Sequence, residues 1–298
     1  MRVFVTGAAG FVGRRLCALL AARGEEVVAT DRELDVADAR RVRAAIAEAR
    51  PDAIAHLAAV ALVPDAERDA AHAFRVNTLG TRAVLEAALR EAPRARVLLV
   101  TTGAVYGSAP PSSAGFDESS SFRPSTAYAR TKAAADLLGA TYAARGLAVV
   151  RARPFNHTGA GRPEAFVESR LARDVAAIAA GCRPARLELA NAASQRDFLH
   201  VDDVLAAYLA LLDAGVPAGA YNVASGEPVS LASVAERLCR IAGVSAEVVA
   251  TSDPLRPPDS IIGVATKLRS FTAWRPLRTL DDTLAELLAD WQARTASA

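Results

Sequence analysis

The sequence predicts an α/β chain: a doubly wound parallel sheet followed by a smaller C-terminal α/β region. Short apolar runs alternate with helix-period segments from residue 2 to about 155, the pattern of strands joined by crossover helices. The apolar runs are nearly continuous, as in strands covered on both faces. Beyond residue 155 the alternation loosens, so 1–155 is expected to form one unit. Residues 156–298 are expected to form mainly a second one, packed on the first and returning some segments to it.

Strands are expected at RVFVT (2–6), EVVAT (26–30), AIAHL (53–57), RVLLVT (96–101) and AVVRAR (148–153). The helix from Phe11 to Arg23 carries Val12, Leu16, Leu19 and Leu20 on one face. Further helices are expected from Ala39 to Arg50, from Ala73 to Arg90 as one long element, and from about Ser125 to Arg145. HTGAGRPEAF (157–166) reads as a loop, Phe166 to Ala180 as a helix, and residues 194–215 as a strand end entering a helix. YNVASGEPVSLASVAERLCRIAG gives a strand, a turn and a helix opening near Ser230, and SDPLRPPDS a Pro-rich loop.

Composition bounds the function. The chain has 298 residues, 52% hydrophobic and 23% charged, with no apolar run near the ~18 residues that span a bilayer, so no membrane partner is expected. The apolar N-terminus is broken by glycines and an Arg-Arg pair, unlike a secretory leader. Cys17, Cys182 and Cys239 are odd in number, far apart and without metal-ligand spacing, which fits buried thiols in a reducing cytoplasm and no metal site. A net charge of +2, with arginines scattered among acids, gives no nucleic-acid footprint.

VFVTGAAGFVGRRL places Gly7, Gly10 and Gly13 after a strand and at a helix start, the setting of a dinucleotide loop. Phe11 and Val12 open that helix and belong to the same cofactor contact. Helix N–H groups there face phosphate, and glycine lets the pyrophosphate approach. Asp31, eighteen residues after Gly13, suits the ribose hydroxyls of NAD(H), which is favoured over NADP(H). Arg32 beside it offers the competing reading, a partner for a 2′-phosphate. LDVAD adds Asp35 and Val36 beside the adenine, and HLAAV places Leu57, Ala58 and Ala59 at a strand end where the cofactor passes.

Tyr128 and Lys132 stand at i and i+4, so on a helix they share a face. A phenol is a poor proton donor or acceptor at neutral pH, and a nearby ammonium stabilises its anion. VLLVTTGAVYG ends a strand with Thr101 and Thr102, about 26 residues before Tyr128. On these motifs the chain resembles the extended short-chain dehydrogenase/reductase superfamily, over essentially its whole length. The resemblance implies a Rossmann-type sheet with Gly7, Gly10 and Gly13 as the phosphate loop, Thr102 on the substrate oxygen and Tyr128 as acid/base. It also implies that Lys132 is the tyrosine's partner and holds the nicotinamide ribose, and that two long helices carrying Asn77 and Tyr128 pair in a homodimer. As a bare residue, Asn77 reads equally well as a helix-packing amide.

RPFNHTGAG, SQRDFLHVDD, YNVASG and DPLRPPD look like the sugar-nucleotide branch, most like the GDP-mannose 4,6-dehydratase and GDP-6-deoxy-4-keto-mannose reductase group. That implies a GDP-linked sugar substrate, with Pro154 and Asn156 beside nicotinamide and substrate and Arg196 and Arg256 on the diphosphate; without the motifs, both arginines read as surface residues. The 4,6-dehydratases of that group carry an acidic residue just after the catalytic hydroxyl. Here those positions are Gly103 and Ala104, which transfer no proton. Reduction of a 4-keto-6-deoxy sugar is the expected chemistry, with 4-epimerisation by the same residues as the alternative and a non-catalytic redox-sensing module as the outsider.

Overall fold

The structure, a computed structural model, describes residues 1–111, 113–251 and 258–296. β1 (Arg2–Thr6), β2 (Glu26–Thr30), β3 (Ala53–His56), β4 (Arg96–Val100) and β5 (Val149–Pro154) alternate with α1 (Phe11–Ala22), α2 (Ala39–Ala49), α3 (Val63–Arg68), α4 (Ala70–Phe74), α5 (Thr81–Glu91) and α6 (Ala127–Ala144). The later elements are β6 (Asn156–Thr158), α7 (Val167–Ala179), β7 (Arg186–Ala190), β8 (Gln195–Arg196), β9 (Phe198–His200) and α8 (Val201–Leu212). They continue through β10 (Gly219–Val223), β11 (Val229–Ser230), α9 (Leu231–Ala242), β12 (Glu247–Thr251), β13 (Ser260–Ile261), α10 (Thr266–Phe271) and α11 (Leu280–Ala296).

Six strands form one parallel sheet in the order β10-β5-β4-β3-β1-β2. The chain winds outward from β1 to β2, then crosses back to β3 on the other side. This reversal leaves a crevice at the carboxyl ends of β1 and β3, where open α/β sheets bind ligands. Strand alternation separates two cores: Val3, Val5 and Leu98 face α1 and α8, whereas Phe4, Val97 and Leu99 face α2, α5 and α6. α8 and β10 therefore complete a sheet begun by the first half of the chain. A third core joins α7, α9 and α11 with Leu187 and Leu189 of β7.

Local chemistry sets several boundaries. Asp38 caps α2 by accepting from the Arg40 and Arg41 amides at 3.1 and 3.0 Å, and Thr126 caps α6 through the Ala129 amide at 3.1 Å. The long helix expected over 73–90 is instead three elements: α4, a π-helical turn at Arg75–Gly80, and α5. Asn77 explains the widened turn. Its amide accepts from Val60 N (2.8 Å), donates to Val60 O (3.1 Å) and donates to Thr131 Oγ1 (2.9 Å), so it ties the chain after β3 to α6. The segment read as a loop from residue 157 opens as β6, which pairs in parallel with β9. No helix among the described residues is long and apolar enough to cross a membrane.

Candidate active site

The first wall of the crevice is the turn after β1. Gly7 has a φ of +72°, and a Cβ on it would lie 2.7 Å from Ala58 N. A Cβ on Gly13 would lie 2.1 Å from the Gly7 carbonyl oxygen, so α1 can pack this close only without a side chain there. Gly10 carries an extended backbone and caps α1, leaving the helix N–H groups open; Phe11 and Val12 follow, half-buried. This side-chain-free cradle under a helix N-terminus fits a dinucleotide pyrophosphate.

Beside it, Ala8, Ala9, Arg14, Cys17, Thr30 and Asp31 line a shallow cavity of about 420 Å³. Asp31 is half-buried at its rim, and its backbone N–H donates to Glu33 Oε1 at 2.6 Å. Arg14 and Arg32 are exposed and make no ion pair among the described residues. Asp35 is paired with Arg75 at 2.7 Å, which holds its carboxyl below the usual range. Val36 is buried under Gly80. Leu57, Ala58 and Ala59 lie half-buried at the end of β3.

The second wall is built by β4 and α6. Thr102 starts a short 3₁₀ turn and accepts from Ala104 N at 3.2 Å, and its hydroxyl lies near enough to the Tyr128 phenol to lower it. Burial pushes that phenol above its ordinary value; the Thr102 hydroxyl and the charge of Arg162 pull the other way. Lys132 is buried and donates to the Val100 carbonyl at 2.6 Å. Burial lowers its ammonium to about 8, opposed by Asp136. The structure thus brings Thr102, Tyr128 and Lys132 to one place.

Asp136 extends the face by another turn. It accepts from Arg151 Nη1 at 2.7 Å, from Arg153 Nε and Nη2 at 2.8 Å each, and from Thr101 Oγ1 at 3.1 Å. Arg153 continues to the Tyr106 hydroxyl at 2.8 Å, and Tyr106 donates to Asn222 Oδ1 at 2.7 Å. Gly103 has its own reason to be glycine: a Cβ there would meet three Phe155 ring atoms at 2.8 Å.

The third wall comes from the chain after β5. Pro154 is buried at the strand end, and Asn156 is half-buried with its side-chain amide unpartnered among the described residues. Arg196 donates to Asp259 Oδ1 at 2.8 Å, so its charge is partly neutralised. Its neighbour Asp197 is a buried clamp that accepts from the amides of Ser225, Gly226 and Gly263. Arg256 lies outside the described residues.

Two contributors had escaped the sequence reading. Asp136 repeats the Tyr128–Lys132 spacing once more, a signal that was available. Arg162 sat inside an expected loop, one arginine among many, and only the fold puts its charge near Tyr128 and His157.

Comparison with known proteins fits this geometry. The signature described as the NAD dependent epimerase/dehydratase family matches residues 3–224, which span the six-stranded sheet and the site from Gly7 to Arg196. The chain belongs to that family. As an NAD dependent epimerase/dehydratase family member it is an NAD(P)-dependent enzyme of the extended short-chain dehydrogenase/reductase type. It is 35% identical to the GDP-6-deoxy-D-mannose reductase of Pseudomonas aeruginosa over 98% of both chains. The structure of RMD from Pseudomonas aeruginosa complexed with NADPH superposes with a TM-score of 0.91 at 34% identity, covering 98% of this chain and 99% of that one. The Thermus thermophilus UDP-glucose 4-epimerase complexed with NAD superposes at 0.86 with 29% identity, covering 98% and 99%.

Proposed function

We propose that the enzyme reduces the C4 keto group of a nucleotide-linked 4-keto-6-deoxyhexose of the GDP-4-keto-6-deoxymannose type. One observation carries the reading: Thr102, Tyr128 and Lys132 converge, while the two residues after Thr102 are Gly103 and Ala104. The site has one proton donor for carbonyl chemistry and no acid or base at the positions dehydration uses. The reductase relative and the NADPH-bound structure support the same reading.

The nicotinamide cofactor supplies hydride when bound, and the glycine cradle, Asp31 and the end of β3 are the residues that would hold it. Thr102 hydrogen-bonds the carbonyl oxygen and polarises it. Tyr128 passes its phenolic proton to that oxygen as negative charge grows there. Lys132, fixed on Val100, keeps a positive charge beneath the exchange. Asn156, with its free amide, and Arg196 contribute to the sugar-nucleotide side. Asp31 suits NAD(H), and the unpaired Arg14 and Arg32 admit the 2′-phosphate of NADP(H), so both cofactors are proposed to bind. A homodimer through the α5 and α6 faces and a cytoplasmic location complete the proposal.

Mixing the purified protein with GDP-4-keto-6-deoxymannose and NADPH or NADH tests it by loss of reduced-cofactor absorbance. No oxidation of either cofactor rejects the reductase reading. The second reading, a nucleotide-sugar 4-epimerase, rests on the similarity to UDP-glucose 4-epimerases. Interconversion of a plain nucleotide hexose without added cofactor would favour it.

A further inference from the structure

The segment between β3 and the π-helical turn lies across the helix that carries Tyr128. α3 has six residues and α4 five, too few to hold a helical shape unaided, so contacts from outside fix them. Ala66 of α3 and Ala73 of α4 are fully buried in a small apolar cluster with Ala127, and Val60 and Tyr128 pack against it. Tyr128 therefore rests on a cluster to which both short helices contribute a methyl group.

Glu67, the residue after Ala66, adds a polar bond to this contact. It is exposed, and its Oε1 accepts from the Ala127 N–H at 2.7 Å. Ala127 is the first residue of α6, where an N–H has no carbonyl within the helix to meet. A carboxylate at this end also faces the positive pole of the helix. Thr126 serves the Ala129 N–H at 3.1 Å, so the first turn of α6 has one cap from its own chain and one from α3.

Farther along, α6 is held by other bonds. Lys132 donates to Val100 O at 2.6 Å, Asn77 Nδ2 donates to Thr131 Oγ1 at 2.9 Å, and Thr78 Oγ1 donates to Thr131 O at 3.0 Å. These fix the second turn against β4 and the π-helical turn. Tyr128 precedes them, in the turn that Thr126 and Glu67 cap. Asn77 holds both backbone groups of Val60, and Asp69 caps α4 through the His72 N–H at 2.9 Å, so Glu67 reaches Ala127 from a segment braced on both sides.

We propose that Glu67 is a positioning residue for Tyr128: its bond to the Ala127 amide fixes the first turn of α6 on α3 and so holds the phenol in place at the crevice. The inference rests on the reductase reading for the step it serves, donation of the Tyr128 proton to the C4 oxygen. One cap at an exposed helix end contributes little to the stability of the whole fold. A reacting group displaced by about 1 Å, however, can lose up to about 100-fold in rate. Loss of Glu67 should therefore be felt in turnover far more than in folding.

The experiment compares Glu67→Ala, which removes the acceptor, with Glu67→Gln, which keeps an oxygen for the Ala127 N–H. NMR of protein labelled at tyrosine Cζ reads the phenol without substrate; the chain has five tyrosines, and Tyr128→Phe assigns the signal. Glu67→Ala should move or broaden the Tyr128 signal while Tyr106, Tyr142, Tyr208 and Tyr221 keep theirs, and Glu67→Gln should restore the wild-type spectrum. With GDP-4-keto-6-deoxymannose and NADPH, Glu67→Ala should lower kcat about 5- to 20-fold with KM within about twofold, and Glu67→Gln should recover most of the loss. A Tyr128 signal unmoved in Glu67→Ala overturns the proposal, as does a Glu67→Gln spectrum no closer to wild type than that of Glu67→Ala. An inactive wild type rejects the reductase reading instead, and the spectra still decide whether Glu67 holds the phenol.

Discussion

Lys132 donates its ammonium to the Val100 carbonyl at 2.6 Å, binding the middle of α6 to the carboxyl end of β4. On the proposed reading this buried charge is held for function. Replacement by arginine should lower kcat at least about 100-fold, because a planar guanidinium cannot occupy the same small space. Lys132→Met should lose activity similarly, yet gain about 1–3 kcal/mol of stability at neutral pH by removing a desolvated cation. Urea denaturation of the Met variant checks this; a loss of stability would reject the idea that the ammonium is strained by burial.

The same residue and His56 give the stability a defined pH dependence. The Lys132 ammonium falls by burial from 10.5 to about 8, so between those values the unfolded chain holds a proton that the native one has released. Its contribution therefore rises with pH across that window. His56 is wholly buried between Thr6 (2.7 Å) and Thr81 (3.1 Å), and burial, with Lys132 second, lowers it from 6.5 to about 3. The unfolded chain binds the extra proton below 6.5, so stability is lost as pH falls through that window. Relative to His56→Gln, the wild type should lose about 1.4 kcal/mol more per pH unit between roughly pH 6 and 4, read from denaturation midpoints.

Much of this site is legible in the chain because each of its local signals is short-range. Gly7, Gly10 and Gly13 announce a tight βα turn, and Tyr128 and Lys132 share a helix face wherever that helix goes. Alternating strands and helices announce a parallel sheet but not the order of its strands, and residues 194–215 read as a strand end entering a helix. What the sequence hides is contact at a distance. Asn77 looks like one more helical residue, yet its bonds to Val60 and Thr131 open the π-helical turn. Arg162 is placed by a loop that Glu286, Asp290 and Arg15 hold, all three more than 120 residues away.

Asp136 gathers Arg151, Arg153 and Thr101 with no exposure of its own, so removing its charge strands two guanidinium groups in the core. Asp136→Asn should cost about 3–5 kcal/mol of stability. Because Asp136 also supports the Lys132 ammonium, kcat should fall while the KM for the keto sugar changes little. Calorimetry and steady-state kinetics on the same preparation separate the two effects.

Gly103 and Ala104 differ in what they tolerate. A side chain at 103 would run into the Phe155 ring, and Phe155 is itself buried against Tyr106, so the ring has nowhere to retreat. Gly103→Ala should destabilise by about 1–3 kcal/mol and Gly103→Asp by more. Ala104 is half-buried, and Ala104→Glu should fold with a nearly unchanged melting temperature. Thermal melts of the three variants rank them; an Ala104→Glu melt as low as that of Gly103→Asp would count against this packing explanation.

Asp31 and Arg32 are adjacent in sequence but make opposite demands on a cofactor. Asp31 sits at the rim of the cavity beside α1, where on the proposed reading its carboxylate would accept ribose hydroxyls and repel a 2′-phosphate. Arg14 lines the same cavity and Arg32 follows Asp31 in the chain, both exposed and without an ion pair among the described residues. Asp31→Ala should therefore weaken NADH roughly tenfold while leaving NADPH unchanged or tighter, and Arg32→Ala should weaken NADPH by a similar factor and spare NADH. Isothermal titration of each variant with both cofactors measures this without any sugar substrate. Equal losses for the two cofactors in both variants would mean that neither side chain reads the 2′ position.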